Sequence, residues 1–315
     1  PEQYRVFSGV APLPVPRVGG WQARTALVHA EPQTPELAEL MVELAERTTD
    51  GFLFGGLASG RGDAPQFAVH GTAAGGCFEG GLSGVAFAPD VACMTRLTQG
   101  CLPTGTAHTI THADDLVALT LDDEPALDVL LHDLGISLDE PQKAIAVVRQ
   151  TLAGLSLPQQ PTIDRTGHLQ QDVRVRHIVG LDPMRQGFAL AEHLQTGMGL
   201  VFCRRDPQAA RADLTRICAE LREALDPENL PLENAVLQLS EAMPPASPTG
   251  RRIAGAVYVS CTGRGGGHFG GPSAEMQIIG HALGDVPLVG FYAAGEIAGH
   301  QLYGYTGVLT VFTTD

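Results

Sequence analysis

The C-terminal part of the chain concentrates the side chains that could do chemistry. Cys261 ends an apolar stretch and is followed by Gly263 and Arg264, while Glu296 follows a second apolar stretch. A neighbouring Arg or helix N-terminus lowers the pKa of a thiol and makes it reactive. The alternative is a buried Cys that serves only as a small apolar side chain. Glu296 could cap a loop, pair with an Arg or contact the amine of a ligand.

The same region contains a glycine pattern, Gly265-x-Gly267-x-x-Gly270, that matches the dinucleotide motif. It lies between an expected strand and an expected helix, as that motif requires. However, the strand-to-helix loop is longer than the motif's, and no third strand of a βαβ unit follows. Two alternatives stay open: backbone amides that hold an anionic group beside Arg264, and a plain turn.

Other catalytic or metal-binding patterns are absent from the sequence. There is no Gly-x-Ser-x-Gly, His-Glu-x-x-His or Cys-x-x-Cys. His108 and His112 would share one face of a strand, but no third ligand is evident. We therefore expect no metal, no cofactor and no enzyme. Haem held by a single axial His remains open, because such ligation needs no spacing pattern.

Charge and composition exclude several kinds of partner. The net charge is −15 and no run of Lys or Arg occurs, so neither nucleic acid nor an anionic membrane surface is expected to bind. No stretch of about 18 apolar residues predicts a membrane span. Six cysteines without a disulfide-like pattern favour a reduced, cytoplasmic protein. The chain begins at Pro1 rather than Met, so we expect that sequence upstream of it has been lost.

Two parts of the chain share the order strand, helix, strand, loop, strand. The first has predicted strands at 26–30, 51–55 and 82–88, a helix opened by Thr34 and Pro35, and a loop at 56–62. The second has strands at 253–260, 287–294 and 306–313, a helix at 272–283, and a loop at 295–304. This order predicts an α/β (α+β) fold of mixed β-sheets flanked by helices, with two related halves and a possible βαββ duplication.

The remaining elements are predicted from apolar periodicity. Residues 1–23 read as an extended lead-in, 141–152 as helix or strand, 159–171 as a loop, and 244–248 as a turn. Helices are predicted at 125–134 and 209–225, and strands at 65–70, 92–98, 107–112, 117–121, 173–180, 186–193 and 199–203.

A ligand site is expected where glycine-rich loops meet, since loops at the carboxyl ends of strands bind ligands in α/β sheets. The candidate ligand-binding residues lie in four such loops, and no catalytic residue is proposed among them. They are Gly56 and Ser59 (loop 56–62), Gly100 (loop 100–105), Cys261, Gly263 and Arg264 (loop 261–267), and Glu296 (loop 295–299).

Several motifs resemble the two FIST domains of bacterial sensory proteins. In the C-terminal part they are Ser260-Cys-Thr-Gly-Arg-Gly, Val286-Pro-Leu-Val-Gly-Phe-Tyr-Ala-Ala-Gly-Glu-Ile and Leu302-Tyr-Gly-Tyr-Thr-Gly-Val-Leu-Thr-Val-Phe. In the N-terminal part they are Phe54-Gly-Gly-Leu-Ala-Ser-Gly, Gly84-Val-Ala-Phe, Gln99-Gly-Cys-Leu-Pro-Thr-Gly and Glu124-Pro-Ala-Leu-Asp-Val-Leu.

The resemblance implies a FIST N-terminal domain at 1–135, lacking its start, and a FIST C-terminal domain at 136–315. It also implies an intracellular sensory role in signal transduction, in which a small ligand such as an amino acid binds. A signalling protein partner is the expected recipient of that signal. Some related proteins bind haem as nitric-oxide sensors, and an F-box relative suggests an interaction scaffold. The resemblance brings no catalytic residues to this chain.

Overall fold

The chain forms two compact units in the computed structural model, which describes residues 3–9, 21–60, 65–68, 76–164, 167–225 and 251–314. Unit 1 combines Pro1–Thr98 with Arg211–Asp315, and unit 2 is Gln99–Ala210. The two ends of the sequence therefore build one unit together. The boundary between 135 and 136 divides the chain differently and stays a prediction.

Strands and helices cover most of the described residues. The strands are β1 (Tyr4–Gly9), β2 (Thr25–Ala30), β3 (Phe52–Leu57), β4 (Gln66–Ala68), β5 (Gly76–Phe78), β6 (Leu82–Phe87), β7 (Ala92–Gln99), β8 (Cys101–Asp114), β9 (Val117–Leu121), β10 (Glu124–Pro125), β11 (Leu152–Ser156), β12 (Arg174–Asp182), β13 (Gly187–Leu190), β14 (Gly199–Arg205), β15 (Arg252–Cys261), β16 (Leu288–Ala293), β17 (Glu296–Gly299), β18 (Gln301–Tyr303) and β19 (Thr306–Thr314). The helices are α1 (Leu37–Glu46), α2 (Ala126–Leu134), α3 (Pro141–Gln150), α4 (Pro207–Leu225) and α5 (Ala274–Leu283). The predicted α/β class with mixed sheets is confirmed.

Unit 1 contains two large sheets that pack face to face. One has six strands in the order β1-β6-β2-β3-β17-β18, and the other has four in the order β16-β15-β19-β7. Phe54 and Ala298 of the first sheet form one apolar cluster with Val259, Ala293 and Val308 of the second. The opposite face of the six-stranded sheet packs against α1, whose apolar stripe is evident in the sequence. Burial of apolar area on both faces stabilises this layered arrangement.

The predicted βαββ duplication appears as two identical pairing patterns. β2 runs parallel to β3 and antiparallel to β6, and β15 runs parallel to β16 and antiparallel to β19. The registers also correspond, since Val28 lies beside Gly55 and Tyr258 lies beside Gly290. A Cβ atom on Gly55 would come within 1.9 Å of the Val28 carbonyl oxygen, and one on Gly290 within 2.3 Å of that of Tyr258. Glycine is therefore required at the same point of both repeats.

Unit 2 is built from antiparallel strands around a large apolar core. Its sheet has the order β10-β9-β13-β12-β11-β14-β8, and β8 also pairs with β9. This last pairing closes six strands into a ring, which leaves no free edge among them. Side chains from the strands and from α2 and α3, such as Ile110, Leu130, Val148 and Phe202, form the core.

The most consequential difference from the sequence prediction concerns 295–304, which we expected to be a loop. These residues form the hairpin β17–β18, and β17 pairs antiparallel with β3 at Glu296↔Gly56. Ile297 points into the core beneath α1, which explains why a Gly-rich segment becomes a strand. The pairing also extends β3 through Gly56 and Leu57, which the sequence pattern assigns to a loop.

Smaller differences occur at element ends. Residues 101–105, expected in a loop, begin β8, and the extended lead-in contains β1, which pairs with β6. Helix α1 begins at Leu37 rather than at Pro35, and Thr34 does not cap it: its hydroxyl accepts a hydrogen bond from the Gly81 amide at 2.8 Å. The predicted turn at 244–248 lies outside the described residues. Across the described ranges, none of the helices combines the length and apolarity that a membrane span needs.

Candidate functional site

A group of buried polar side chains lies at the C-terminal end of β15 in unit 1. We call it the polar cluster and define it as Tyr258, Ser260, Cys261, Arg264, Glu275, Glu296 and Thr306. Each of these side chains is at least nine-tenths shielded from solvent, and Glu296 and Thr306 are wholly so. Burial of this many polar groups is unfavourable unless they bond to one another or to a ligand.

Arg264 and Glu275 form the central ion pair. The Arg264 Nε donates to Glu275 Oε1 at 3.2 Å, and its Nη1 donates to the Thr98 carbonyl at 3.2 Å. The guanidinium also lies 5.0 Å from the centre of the Phe269 ring. Since both side chains are buried, solvent screens their charges poorly. Removing either partner would therefore strongly destabilise unit 1.

Two residues of β15 extend this pair into a network. Tyr258 donates its hydroxyl to Glu275 Oε1 at 2.7 Å, and Ser260 donates to the same oxygen at 2.9 Å. Burial raises the pKa of Tyr258 far above its ordinary value, so the phenol stays protonated as a donor. At the equivalent points of the first repeat, Val28 and Ala30 pack against α1 instead. The second repeat thus places hydrogen-bonding groups where the first has only apolar packing.

Glu296 occupies the inter-sheet side of the cluster. Its Oε2 accepts hydrogen bonds from the Thr306 hydroxyl at 2.6 Å and the Thr306 amide at 3.2 Å. Its Oε1 is buried and meets no N–H or O–H donor among the described residues, and the Cys261 thiol is the weak donor beside the carboxyl. Burial raises the pKa of Glu296 to about 7, against the opposing effects of the Thr306 bonds, the charge of Arg264 and the Cys261 thiol. The carboxyl can therefore gain or lose a proton near neutral pH.

Cys261 lies beside Glu296, but its environment does not activate the thiol. Burial and the negative charge of Glu296 both raise its pKa, and they outweigh the lowering effect of Arg264. The thiolate is the nucleophilic form, so a raised pKa opposes reactivity. The alternative of a small buried apolar residue accounts for this Cys better than a catalytic role does.

Short glycine-rich turns connect β15 to α5 and place Arg264 inward. Two 3₁₀ turns follow Cys261, at Thr262–Arg264 and Gly266–Phe269, and Gly266 and Gly270 have φ values of 64° and 87°. These left-handed backbone angles are accessible mainly to glycine. Because Arg264 is neutralised by Glu275 in the first turn of α5, the arrangement does not favour a phosphate or another anion at this helix end.

The predicted site residues are only partly brought together. Cys261, Arg264 and Glu296 belong to the polar cluster, and a Cβ atom on Gly263 would lie 3.3 Å from the ring of Tyr305. Gly56 lies opposite Glu296 in the β3–β17 pairing.

Two of them lie elsewhere. Ser59 is exposed and donates its hydroxyl to the Tyr292 carbonyl at 3.0 Å. Gly100 belongs to unit 2, where its carbonyl accepts a hydrogen bond from the Asp206 amide at 3.0 Å.

Sequence reasoning missed four members of the cluster, Tyr258, Ser260, Glu275 and Thr306. A signal was present for Glu275, which precedes the buried Ile279 by four residues and so shares its inward helix face. Tyr258 and Ser260 alternate along an apolar strand, which places both on one face.

The two histidines considered as metal ligands do not form a metal site. His108 bonds two carboxylates, with Nδ1 2.7 Å from Asp122 and Nε2 2.8 Å from Asp133. β8 bulges between Ile110 and His112. Throughout the described part of the chain, no three His, Cys, Asp or Glu side chains are grouped so that they could hold a metal ion.

Comparison with known proteins identifies the family. The FIST N domain model matches residues 5–124, and the FIST C domain model matches residues 126–299. The chain belongs to the FIST family. Domains of this family generally serve in sensing and signal transduction through small ligands.

Curated relatives come from mycobacteria. The uncharacterized protein Rv0628c of Mycobacterium tuberculosis is 30% identical over 266 residues, which cover 82% of this chain and 60% of the relative. The uncharacterized protein Mb0898c of Mycobacterium bovis is 30% identical over 273 residues, which cover 83% of this chain and 60% of the relative. The chain thus spans about three fifths of the length of these relatives.

Proposed function

We propose that this FIST protein senses a small ligand that carries a positively charged amine, such as an amino acid or a related metabolite, at the polar cluster. The observation that supports this most directly is the buried Glu296 Oε1, which meets no N–H or O–H donor among the described residues and has only the weakly donating thiol of Cys261 beside it. A buried carboxylate oxygen is unfavourable without a partner, and an ammonium group supplies three donors and the opposite charge.

The charges of the cluster support the same ligand class. Glu275 and Glu296 are two acids, whereas Arg264 is the cluster's single cation. When Glu296 is ionised, one negative charge is uncompensated in a region that excludes water. A cationic amine would balance that charge, whereas an anionic ligand would add to it.

Access to the cluster requires movement, because Glu296 is wholly buried. The segment 262–271 is the element that we expect to move, since it consists of short 3₁₀ turns rich in glycine between β15 and α5. A shift of this segment around a bound ligand would convert binding into a structural change, as a sensor requires.

The wider context of the function is also proposed. We infer that the chain acts in the cytoplasm and passes its signal to a partner protein. All six cysteines are free, including the exposed Cys77, which is consistent with a reducing compartment. We keep 1–135 and 136–315 as the proposed FIST N-terminal and C-terminal domains.

Ligand screening by thermal unfolding tests the proposal. The twenty common amino acids, their decarboxylated amines and their deaminated acids would each be mixed with the purified chain. We expect some amines or amino acids to raise Tm in a saturable way, and the deaminated acids to have no effect. The variant Glu296→Gln should bind at least about tenfold more weakly, since it loses the charge that pairs with the amine.

Glu39→Gln is the matched control, because Glu39 is an exposed acid on α1 in the same unit. The affinity of Glu39→Gln for each compound that binds should equal that of the wild type. If every compound that raises Tm binds Glu296→Gln as tightly as the wild type, the polar cluster is not the site. If no amine or amino acid in the panel binds, the proposed ligand class is wrong.

A further inference from the structure

Unit 1 also contains a cavity of about 450 Å³, whose lining side chains differ in chemistry from those of the polar cluster. It lies along β2, β6 and β4, on the face of the six-stranded sheet that carries Leu27 and His29. Its volume falls within the range of about 300–1,000 Å³ that small-molecule sites occupy. The cavity is therefore large enough for a ligand rather than for one or two waters.

The lining of the cavity is mainly apolar and carries no ionised group among its described residues. Val6, Leu27, Val85 and the exposed ring of Phe67 supply most of the wall. A charged ligand would gain no ion pair from these side chains and would lose part of its hydration. The described lining therefore favours an uncharged molecule.

His29 is the polar side chain that faces a ligand here. Burial lowers its pKa below the ordinary value, so the imidazole is neutral at physiological pH. Its ring stacks on Phe291, with centroids 4.6 Å apart and an interplanar angle of 23°, which fixes its orientation. Among the described residues no hydrogen bond to either ring nitrogen is formed, and a neutral imidazole offers one donor and one acceptor.

The other polar groups of the cavity are already engaged with each other. Ser83 donates its hydroxyl to Gln66 Oε1 at 2.9 Å, and both side chains are buried. This bond holds β4 against β6, and of the described lining side chains it leaves His29 with hydrogen-bonding capacity for a ligand. An apolar wall with one convergent polar group is the usual composition of a specific small-molecule site.

We propose that this cavity is a second ligand site, which binds an uncharged and mainly apolar small molecule through stacking and apolar contacts, with one hydrogen bond to His29. It differs from the polar cluster in the class of ligand, since the cluster favours a charged amine. The two sites share β3, whose Gly56 pairs with Glu296 and whose continuation Ala58 lines the cavity.

Three aromatic probes of similar size test this inference on the full chain. They are p-cresol, which has a hydroxyl group, toluene, which lacks one, and 4-methylbenzoate, which is negatively charged. Affinities would be measured by ligand-observed saturation-transfer NMR. We expect saturable binding of p-cresol, weaker binding of toluene, and no saturable binding of 4-methylbenzoate.

Variants assign the binding to the cavity. Ala58→Phe fills it and should abolish binding of both neutral probes. His29→Phe keeps the stack on Phe291 but removes the hydrogen bond. The variant should therefore lower the affinity for p-cresol by about tenfold and leave the affinity for toluene nearly unchanged. Val179→Phe adds the same ring to an exposed strand position of unit 2 and serves as the control.

The inference fails if neither neutral probe binds saturably to the wild type, or if Ala58→Phe binds them as tightly as the wild type does. It also fails if 4-methylbenzoate binds as well as p-cresol. Circular dichroism of each variant establishes that the fold is intact. If His29→Phe changes the affinities for p-cresol and toluene by the same factor, the proposed hydrogen bond to His29 is wrong.

Discussion

Replacement of Glu296 by glutamine should change how the stability of unit 1 depends on pH. The carboxyl has a pKa of about 7 in the folded protein because it is buried, against an ordinary value of 4.5. At 1.36 kcal/mol for each pKa unit, this difference corresponds to about 3 kcal/mol.

The sign follows from proton binding. Between pH 4.5 and 7 the unfolded chain has lost the proton of Glu296, whereas the folded chain still holds it. The free energy of unfolding therefore falls as pH rises through this window and levels off above the folded pKa. The amide that Glu296→Gln introduces would mimic the protonated carboxyl at every pH. The variant should thus gain stability relative to the wild type, by up to about 3 kcal/mol between roughly pH 4.5 and pH 8.

Urea unfolding followed by tryptophan fluorescence measures this difference. Trp21 is the chain's single tryptophan, and it packs against the core of unit 1 beneath α1. Its signal therefore reports the unit that contains Glu296. Glu39→Gln is the control, because an exposed carboxyl should change stability by less than about 0.5 kcal/mol at any pH in the series. A difference between Glu296→Gln and wild type that is equal at pH 5 and pH 8 would refute the reasoning.

Two further predictions concern the rest of the cluster. Arg264→Met should destabilise unit 1 by about 3–5 kcal/mol in urea unfolding, because it leaves Glu275 buried without a cation. The double variant with Glu275→Gln should recover part of that loss, because the neutral amide oxygen still accepts the Tyr258 and Ser260 hydrogen bonds, and equal stability of the single and double variants would show that the two charges are not coupled. In thiol labelling of the folded protein with Ellman's reagent at pH 8, Cys77→Ala should remove the fastest phase, because Cys77 is exposed. Cys261→Ala should leave that phase intact, because burial and the charge of Glu296 raise the pKa of the Cys261 thiol. Loss of the fast phase in Cys261→Ala would instead show that this thiol is reactive.

The repeat was accessible to sequence reasoning because its signals are local. Leu37, Met41 and Leu44 recur at helical spacing, and apolar runs bounded by glycine define the strands on either side. Val28 with Gly55 and Tyr258 with Gly290 then take equivalent registers, since the order of elements restricts how a βαβ unit can pair.

The candidate site was only partly accessible for the same reason. Arg264 and Glu296 stand out in sequence as charges within Gly-rich, apolar surroundings. Helical spacing places Glu275 on the inward face of α5, but nothing in the sequence pairs it with Arg264 or pairs Thr306 with Glu296. Which oxygen of Glu296 is satisfied depends on Thr306, and the buried partner of Arg264 is the helix residue Glu275. No periodicity encodes these pairings, because they arise from side chains that approach one another only after the sheets and α5 have packed.

Sequence by itself determined the class of fold, the internal repeat and the family, all of which depend on local pattern and motif order. Tertiary structure decided that 295–304 is a hairpin and that β17 joins β3 from the opposite end of the chain. It also decided that His29 faces a cavity beside Phe291. The physical reason is that strand pairing and burial are non-local: a residue's neighbours, its solvent exposure and hence its pKa are fixed by segments far away in the sequence.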